Sequence, residues 1–222
     1  MCGIAGFAGT KNCSRTRPVL EGMLDSIAHR GPDDAGVFCS KDVGFGIRRL
    51  SIIDIHGGAQ PIHNENKTVY VVQNGEIYNY IELRDDLEAL GHIFTTQSDT
   101  EVLVHLYEEY GVAKMLKKLR GMFCFALYDV VAEKMIIAKD RLGKKPCFYR
   151  FYDGVLTFCS ELAPLADLSE ASKEISPEAL SLYLANGYIP SPLTIYQYIQ
   201  KLPAAHYLVW EKRKLTEGGI GP

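Results

Sequence analysis

Met122-Phe123-Cys124-Phe125-Ala126-Leu127-Tyr128 is apolar at every position. In an extended chain alternate side chains point to opposite faces, so Phe123, Phe125 and Leu127 share one face and Cys124, Ala126 and Tyr128 the other. A strand apolar on both faces needs cover on both sides. Working outward, Lys134–Lys139, Cys147–Tyr152 and Gly154–Phe158 read as further short strands with short connections. Upstream, Gly3–Ala8, Val43–Ile53 and Thr68–Gln73 read as strands. Helices are expected over Thr16–His29, where Val19, Leu20, Met23, Leu24 and Ile27 recur at helical spacing, and over Asn79–Leu90 and Asp99–Tyr110. Gly91 stands where a C′ glycine belongs, and Ser98 or Asp99 can cap the next helix. A last helix, Glu178–Gly187, follows Ser176-Pro177, an N-cap and N1 pair. Tyr188–Tyr196 reads as extended and His206–Trp210 as a final strand. Glu211–Pro222, charged and then glycine-rich, reads as a linker or the truncated start of a further domain.

The 222 residues carry 24 Lys and Arg against 27 Asp and Glu, a net charge of −3, so the broad basic footprint of a nucleic-acid binder is missing. No apolar run approaches the roughly 20 residues of a membrane helix. No basic start leads into an apolar stretch of secretory type, and the expected compartment is the cytoplasm. The six cysteines, Cys2, Cys13, Cys39, Cys124, Cys147 and Cys159, show no CxxC spacing. In a reducing compartment five of them read as small buried hydrophobes.

Cys2 differs because of its place. Removal of Met1 would give it a free α-amino group beside its thiol. An amine of pKa about 7.7–8.0 is partly unprotonated near neutrality and can take the thiol proton, so such a nucleophile carries its own base. On position alone, it reads as no more than the neighbour of a start codon. Arg49, in the run Arg48-Arg49-Leu50-Ser51-Ile52-Ile53-Asp54, can grip a carboxylate bidentately or close a strand-edge salt bridge. Asn74-Gly75 after a strand reads as a type I′ hairpin turn, or as two donors for a developing oxyanion. Ser98-Asp99-Thr100-Glu101 reads as a helix cap, or as a carboxylate offered to a substrate ammonium. His29 is expected to serve structure at a helix end, with Arg30 and Asp33 as a possible loop-ordering ion pair.

Taken together these stretches resemble the class II glutamine amidotransferase domain, in particular the glutaminase half of glutamine-hydrolysing asparagine synthetases. The similarity rests on Met1-Cys2-Gly3-Ile4, His29-Arg30-Gly31-Pro32-Asp33, Arg49–Asp54, Gly58-Ala59-Gln60-Pro61, Asn74–Asn79, Ser98–Glu101, Gly121-Met122-Phe123, Arg141-Leu142-Gly143 with Pro146, and Ser160-Glu161-Leu162. They stand in the family's order and span residues 2 to about 210. The resemblance implies an α+β fold, a four-layer αββα sandwich of the N-terminal-nucleophile hydrolase type with mainly antiparallel sheets. It implies an enzyme that hydrolyses L-glutamine to L-glutamate and ammonia through a thioester on Cys2. Asn74 and Gly75 would form the oxyanion hole, and Arg49 would bind the α-carboxylate. Asp99, with backbone of Gly75 and Glu76, would bind the α-ammonium, and Leu50, Ile52 and Ile53 would line the pocket.

The same resemblance divides the chain into a glutaminase domain over 2–210 and a linker or truncated start of a synthetase domain over 211–222. That absent domain would amidate aspartate with ATP and Mg. The Ser-Gly-Gly-x-Asp-Ser loop it would use does not occur here, so no cofactor or metal is expected in this domain. The expected partners are L-glutamine, the synthetase domain and a second copy of the chain in a homodimer, without nucleic acid or membrane. Lys144, Cys147 and Cys159 depart from the family pattern at positions expected to lie outside the pocket. Three rivals stay open: a non-catalytic glutamine-sensing domain of this fold, an amidotransferase domain serving another carboxylate, and an N-terminal-nucleophile amidase for another substrate.

Overall fold

The computed structural model describes residues 1–10, 13–55, 57–169 and 173–221, with backbone alone for 13–15, so the side chain of Cys13 lies outside the described residues. In chain order the strands are β1 (Gly3–Ala8), β2 (Asp34–Ser40), β3 (Val43–Arg49), β4 (Ile62–His63), β5 (Val69–Ile77), β6 (Gly121–Asp129), β7 (Lys134–Lys139), β8 (Phe148–Tyr152), β9 (Val155–Cys159), β10 (Gln200–Lys201), β11 (His206–Glu211) and β12 (Lys214–Gly219). The helices are α1 (Cys13–Ser26), α2 (Tyr80–Ala89), α3 (Val102–Lys118), α4 (Ala163–Ala166) and α5 (Pro177–Asn186), with a 3₁₀ turn at Ala28–Arg30.

The strands form two six-stranded antiparallel sheets, β10-β8-β9-β1-β3-β2 and β12-β11-β7-β6-β5-β4. Period-two alternation sorts their apolar residues into layers. Ile4, Ala8, Phe45 and Ile47 of the first sheet meet Cys124, Ala126, Tyr128, Met135 and Ile137 of the second in the inner core. On the outer face of the second sheet, Phe123, Phe125, Leu127, Ile136 and Ala138 pack under Leu83 and Leu87 of α2 and Val102, Leu103 and Leu106 of α3. On the outer face of the first, Ala5, Phe7 and Cys159 pack under Leu20, Met23, Leu24 and Ile27 of the α1 region and Leu165 and Ala166 of α4. The expected αββα sandwich is therefore present, and Met122–Tyr128 is covered on both sides as its composition requires.

Several local expectations are corrected. β2, a half-buried edge strand, was not anticipated from its sequence Asp-Ala-Gly-Val-Phe-Cys-Ser. Residues 211–222, expected as a linker or the truncated start of a further domain, carry β12, which pairs with β11 from His206↔Gly219 to Glu211↔Lys214 and so joins this sheet; Pro222 lies outside the described residues. The alternation Leu215, Glu217 and the glycines hid this edge strand, which the cross-strand ladder specifies. β5 runs through Asn74-Gly75 instead of turning there, because Asn74 and Gly75 pair with Cys124 and Phe123 of β6. α3 starts at Val102, later than expected, and continues past a break at Gly111 (φ 67°) to Lys118. Neither Ser98 nor Asp99 caps it. Ser176 does cap α5, accepting from the Ala179 N–H at 3.2 Å, and Gly187 closes that helix in the left-handed region. Cys124, Cys147 and Cys159 are buried free thiols, whereas Cys39, half-buried on β2, is disulfide-bonded and not a reduced hydrophobe.

Candidate active site

β1 lies between β9 and β3, which puts the residue before it at the mouth between the sheets. That residue, Cys2, is half-buried. The Leu50 N–H points at its sulfur at 3.4 Å, and the thiol lies 3.6 Å from the Leu50 carbonyl. Arg30 Nε donates to the Cys2 carbonyl at 3.0 Å while Arg30 Nη1 holds Glu161 at 3.0 Å. The anticipated Arg30–Asp33 pair does not form; Asp33 accepts from the Ser51 N–H, and Arg30 instead fixes the backbone of Cys2. His29 also binds Glu161, at 2.8 Å, and does not reach the sulfur. Burial opposes ionisation of Glu161, but Arg30 and His29 hold its carboxyl below the usual range.

Cys2, Arg49, Leu50, Ile52, Ile53, Asn74, Gly75, Glu76 and Asp99, the residues anticipated from sequence, all line one pocket of about 140 Å³. Arg49 ends β3 and is 4% exposed. Its Nη2 donates to the carbonyls of Ile53 at 3.0 Å and Asp54 at 2.8 Å, so the segment 50–55 wraps the guanidinium. Among the described residues no carboxylate pairs with it, which removes the strand-edge salt bridge. Asp54 in turn accepts from the Gln97 N–H at 2.8 Å and ties this segment to the one bearing Asp99.

Asp99 is the converse case. It is 4% exposed, and its Oδ2 accepts from the Ile77 N–H at 2.8 Å and from Gln73 Nε2 at 3.1 Å. No cation pairs with it among the described residues. Burial is the main reason its carboxyl is pushed above the usual aspartate value, only partly offset by those two donors. A buried unpaired cation and a buried unpaired anion thus line one pocket, although buried charges are ordinarily paired.

Asn74 adds a third unmet demand. It is fully buried, and neither its Nδ2 nor its Oδ1 has a hydrogen-bond partner. Leaving buried polar groups unsatisfied costs on the order of 1–3 kcal/mol each, so such a side chain signals an absent partner. Gly75 beside it has φ +145°, and a Cβ there would lie 2.0 Å from the Met122 carbonyl, so the site needs glycine to keep β5 against β6.

Sequence reasoning missed part of the lining: Gln60, Gln73, Ser98, Thr100, Met122 and Lys145. Gln60 belongs to the quoted Gly58–Pro61 stretch but had no role; its Oε1 accepts from the Gln73 N–H at 2.7 Å. Lys144, Cys147 and Cys159 stay out of the pocket, whereas their neighbour Lys145 enters it, buried. No signal in the sequence distinguishes Lys145 from Lys144.

The αββα sandwich, with a cysteine immediately ahead of a central strand, defines the N-terminal-nucleophile hydrolase architecture. A family model described as a glutamine amidotransferase domain matches residues 1–219. This chain belongs to that family. It is 39% identical over 213 residues to asparagine synthetase [glutamine-hydrolyzing] 1 of Bacillus subtilis, covering 94% of this chain and 33% of the relative. It is 36% identical to the putative asparagine synthetase [glutamine-hydrolyzing] 2 of Methanocaldococcus jannaschii, covering 96% and 45% respectively. The chain therefore spans a third to under a half of these relatives. In fold it is similar to the glutamine phosphoribosylpyrophosphate amidotransferase of B. subtilis complexed with ADP and GMP, with TM-score 0.70 and 20% identity over 99% of this chain and 49% of that one. Among the described residues no helix is long and apolar enough to cross a membrane.

Proposed function

We propose that this chain hydrolyses L-glutamine to L-glutamate and ammonia through a thioester on Cys2. The observation that carries the reading is the pair of buried, unpaired charges, Arg49 and Asp99, lining one pocket with Cys2 and the unsatisfied Asn74. A free amino acid needs a cation for its carboxylate and an anion for its ammonium. Its side-chain amide then lies toward the sulfur, an orientation effect of the kind that can lower a barrier as much as activation of the nucleophile does.

The Cys2 sulfur attacks the side-chain amide carbon. The carbonyl oxygen takes up the negative charge and is met by Asn74 Nδ2 and the Gly75 N–H, donors of the kind whose single loss costs about 3–4 kcal/mol of barrier. The C–N bond breaks, and the leaving nitrogen receives the proton that the thiol gave up. A water then attacks the thioester, expels the thiolate and yields glutamate. With Met1 attached the Cys2 nitrogen is an amide; release of Met1 supplies the amine that shuttles the proton.

Ammonia would pass to a synthetase domain in a longer protein, with aspartate as its acceptor. ATP and Mg would belong to that domain. The cytoplasm is the compartment expected of such an enzyme, although the disulfide at Cys39 runs against its reducing chemistry, and a homodimer is compatible with the reading.

The test is intact mass after incubation with a diazoketone analogue of glutamine, on wild type and Cys2→Ala, together with glutamate release. Burial pushes the Cys159 thiol up to about 12, and hydrogen bonding to Cys147 with burial pushes Cys124 well above the ordinary value, so neither competes for the electrophile. One adduct on Met1-free wild type and none on Cys2→Ala is the expected result. No adduct and no glutamate from Met1-free protein would leave the non-catalytic sensing domain as the reading.

A further inference from the structure

A second cluster lies outside the pocket, where the segment before β5, the end of α2 and the first turns of α3 meet. Glu65, His92, His105 and Glu108 each offer one ligand atom, and these atoms all lie within 4.8 Å of one another. His105 is fully buried, and neither ring nitrogen has a hydrogen-bond partner. Its Nδ1 stands 3.7 Å from Glu65 Oε2 and 3.6 Å from Glu108 Oε2. His92 Nδ1 stands 3.8 Å from Glu65 Oε1.

These separations are too long for hydrogen bonds. The two His105 separations are close to the roughly 3.3–3.6 Å between ligand atoms around a tetrahedral ion with bonds of about 2.0–2.2 Å, and the His92 distance is to the Glu65 oxygen that also accepts from Ile93. The carboxylates are also oriented for it. Glu65 Oε1 accepts from the Ile93 N–H at 2.8 Å and Glu108 Oε1 from Asn64 Nδ2 at 2.7 Å, so each protein contact uses one oxygen and leaves Oε2 facing His105. Behind His105, its Nε2 faces Glu101 Oε1 at 3.8 Å, beyond hydrogen-bond distance, so the second carboxylate lies near the ring without fixing its tautomer. Two carboxylates balance the charge of a divalent ion, and two imidazoles select the zinc class over calcium or magnesium.

We propose that Glu65, His92, His105 and Glu108 bind one divalent ion of the zinc class. With four protein ligands and no open position the site is structural and not catalytic. It would tie the segment after α2 to α3, next to Glu101, whose carboxylate already fastens Thr95 and Thr96 ahead of Asp99.

The test uses the full chain, stripped with EDTA and titrated with Zn(II) and, as a spectroscopic probe, Co(II). The expected result is one equivalent bound, visible Co(II) ligand-field bands, and a Tm raised by Zn(II) and restored by EDTA. Glu65→Gln and Glu108→Gln, at partly exposed positions that spare the core, should each weaken binding at least about 10-fold. Cys2→Ala should bind like wild type, which separates this site from the glutaminase reading. Two results overturn the proposal: folded wild type that neither binds Zn(II) nor shifts in Tm, or wild-type affinity in both glutamine variants.

Discussion

Asp99→Asn separates substrate binding from stability in a single change. The carboxylate is 4% exposed, lacks a cation, and is held by the Ile77 N–H and Gln73. Asparagine keeps the shape and an acceptor for those donors but cannot pair with an ammonium. Breaking a buried, hydrogen-bonded charge pair costs about 2–5 kcal/mol, and the conservative replacement points to the lower part, about 2–4 kcal/mol. At 1.36 kcal/mol per decade that is a fall in kcat/KM of about 30- to 1,000-fold. The α-ammonium does not react, so the loss should fall on KM with kcat little changed.

Stability should move the other way. Burial raises the folded-state pKa of Asp99 above the ordinary 3.8, so the ionised carboxylate weighs against folding when no ligand is bound. That contribution is most favourable below the ordinary value and is lost as pH rises through the raised one. Asp99→Asn should therefore match or exceed the wild-type Tm at pH 7. In wild type, the glutamine KM should rise as pH falls through the raised pKa. The assay is glutamate release against glutamine concentration, alongside thermal unfolding. With 4-carbamoylbutanoate, which is glutamine without its amine, the two enzymes should agree within about threefold. An unchanged glutamine KM, or an equal loss on 4-carbamoylbutanoate, refutes the ammonium role.

Arg49→Lys should raise the glutamine KM about 10- to 100-fold with a small loss of Tm, because a single ammonium cannot reproduce the planar fork that holds the Ile53 and Asp54 carbonyls on Nη2 while offering a carboxylate a bidentate face; steady-state kinetics and a melting curve check both. Gly75→Ala should lower kcat by about 100-fold or more and lower the Tm, since its Cβ would meet the Met122 carbonyl at 2.0 Å at a φ of +145°; kinetics and urea unfolding read the two effects. Burial opposes ionisation of Glu101, yet His105, Thr96 and Thr95 hold its carboxyl at about 2. Its stabilisation is present above the ordinary value of 4.5 and is lost as pH falls toward 2. In EDTA, Glu101→Gln should be about 1–3 kcal/mol less stable than wild type at pH 7, with the gap closing between those pH values in urea titrations.

Periodicity and chemistry legible along the chain determined much of this protein. The two apolar faces of Met122–Tyr128 required two covering layers, and β7 falls where its apolar run stands, at Lys134–Lys139. Taken singly, Cys2, Arg49, Asn74, Gly75 and Asp99 read as a chain start, a strand-edge ion pair, a turn and a helix cap, and only the ordered set of motifs resembling the class II glutamine amidotransferase domain gave them roles. What only the tertiary structure decided depends on neighbours distant in the chain. β2 and β12 are edge strands with weak patterns of their own, and their partners β3 and β11 fix them. Asn-Gly favours a turn locally, yet nine residues of pairing with β6 carry β5 straight through it. Asp99 reads as a helix cap until Ile77 and Gln73 claim its carboxylate. Lys145 enters the pocket, and His105 loses both hydrogen-bond partners, only where separate segments converge. Burial and pairing are properties of that convergence, so no spacing within a single segment encodes them.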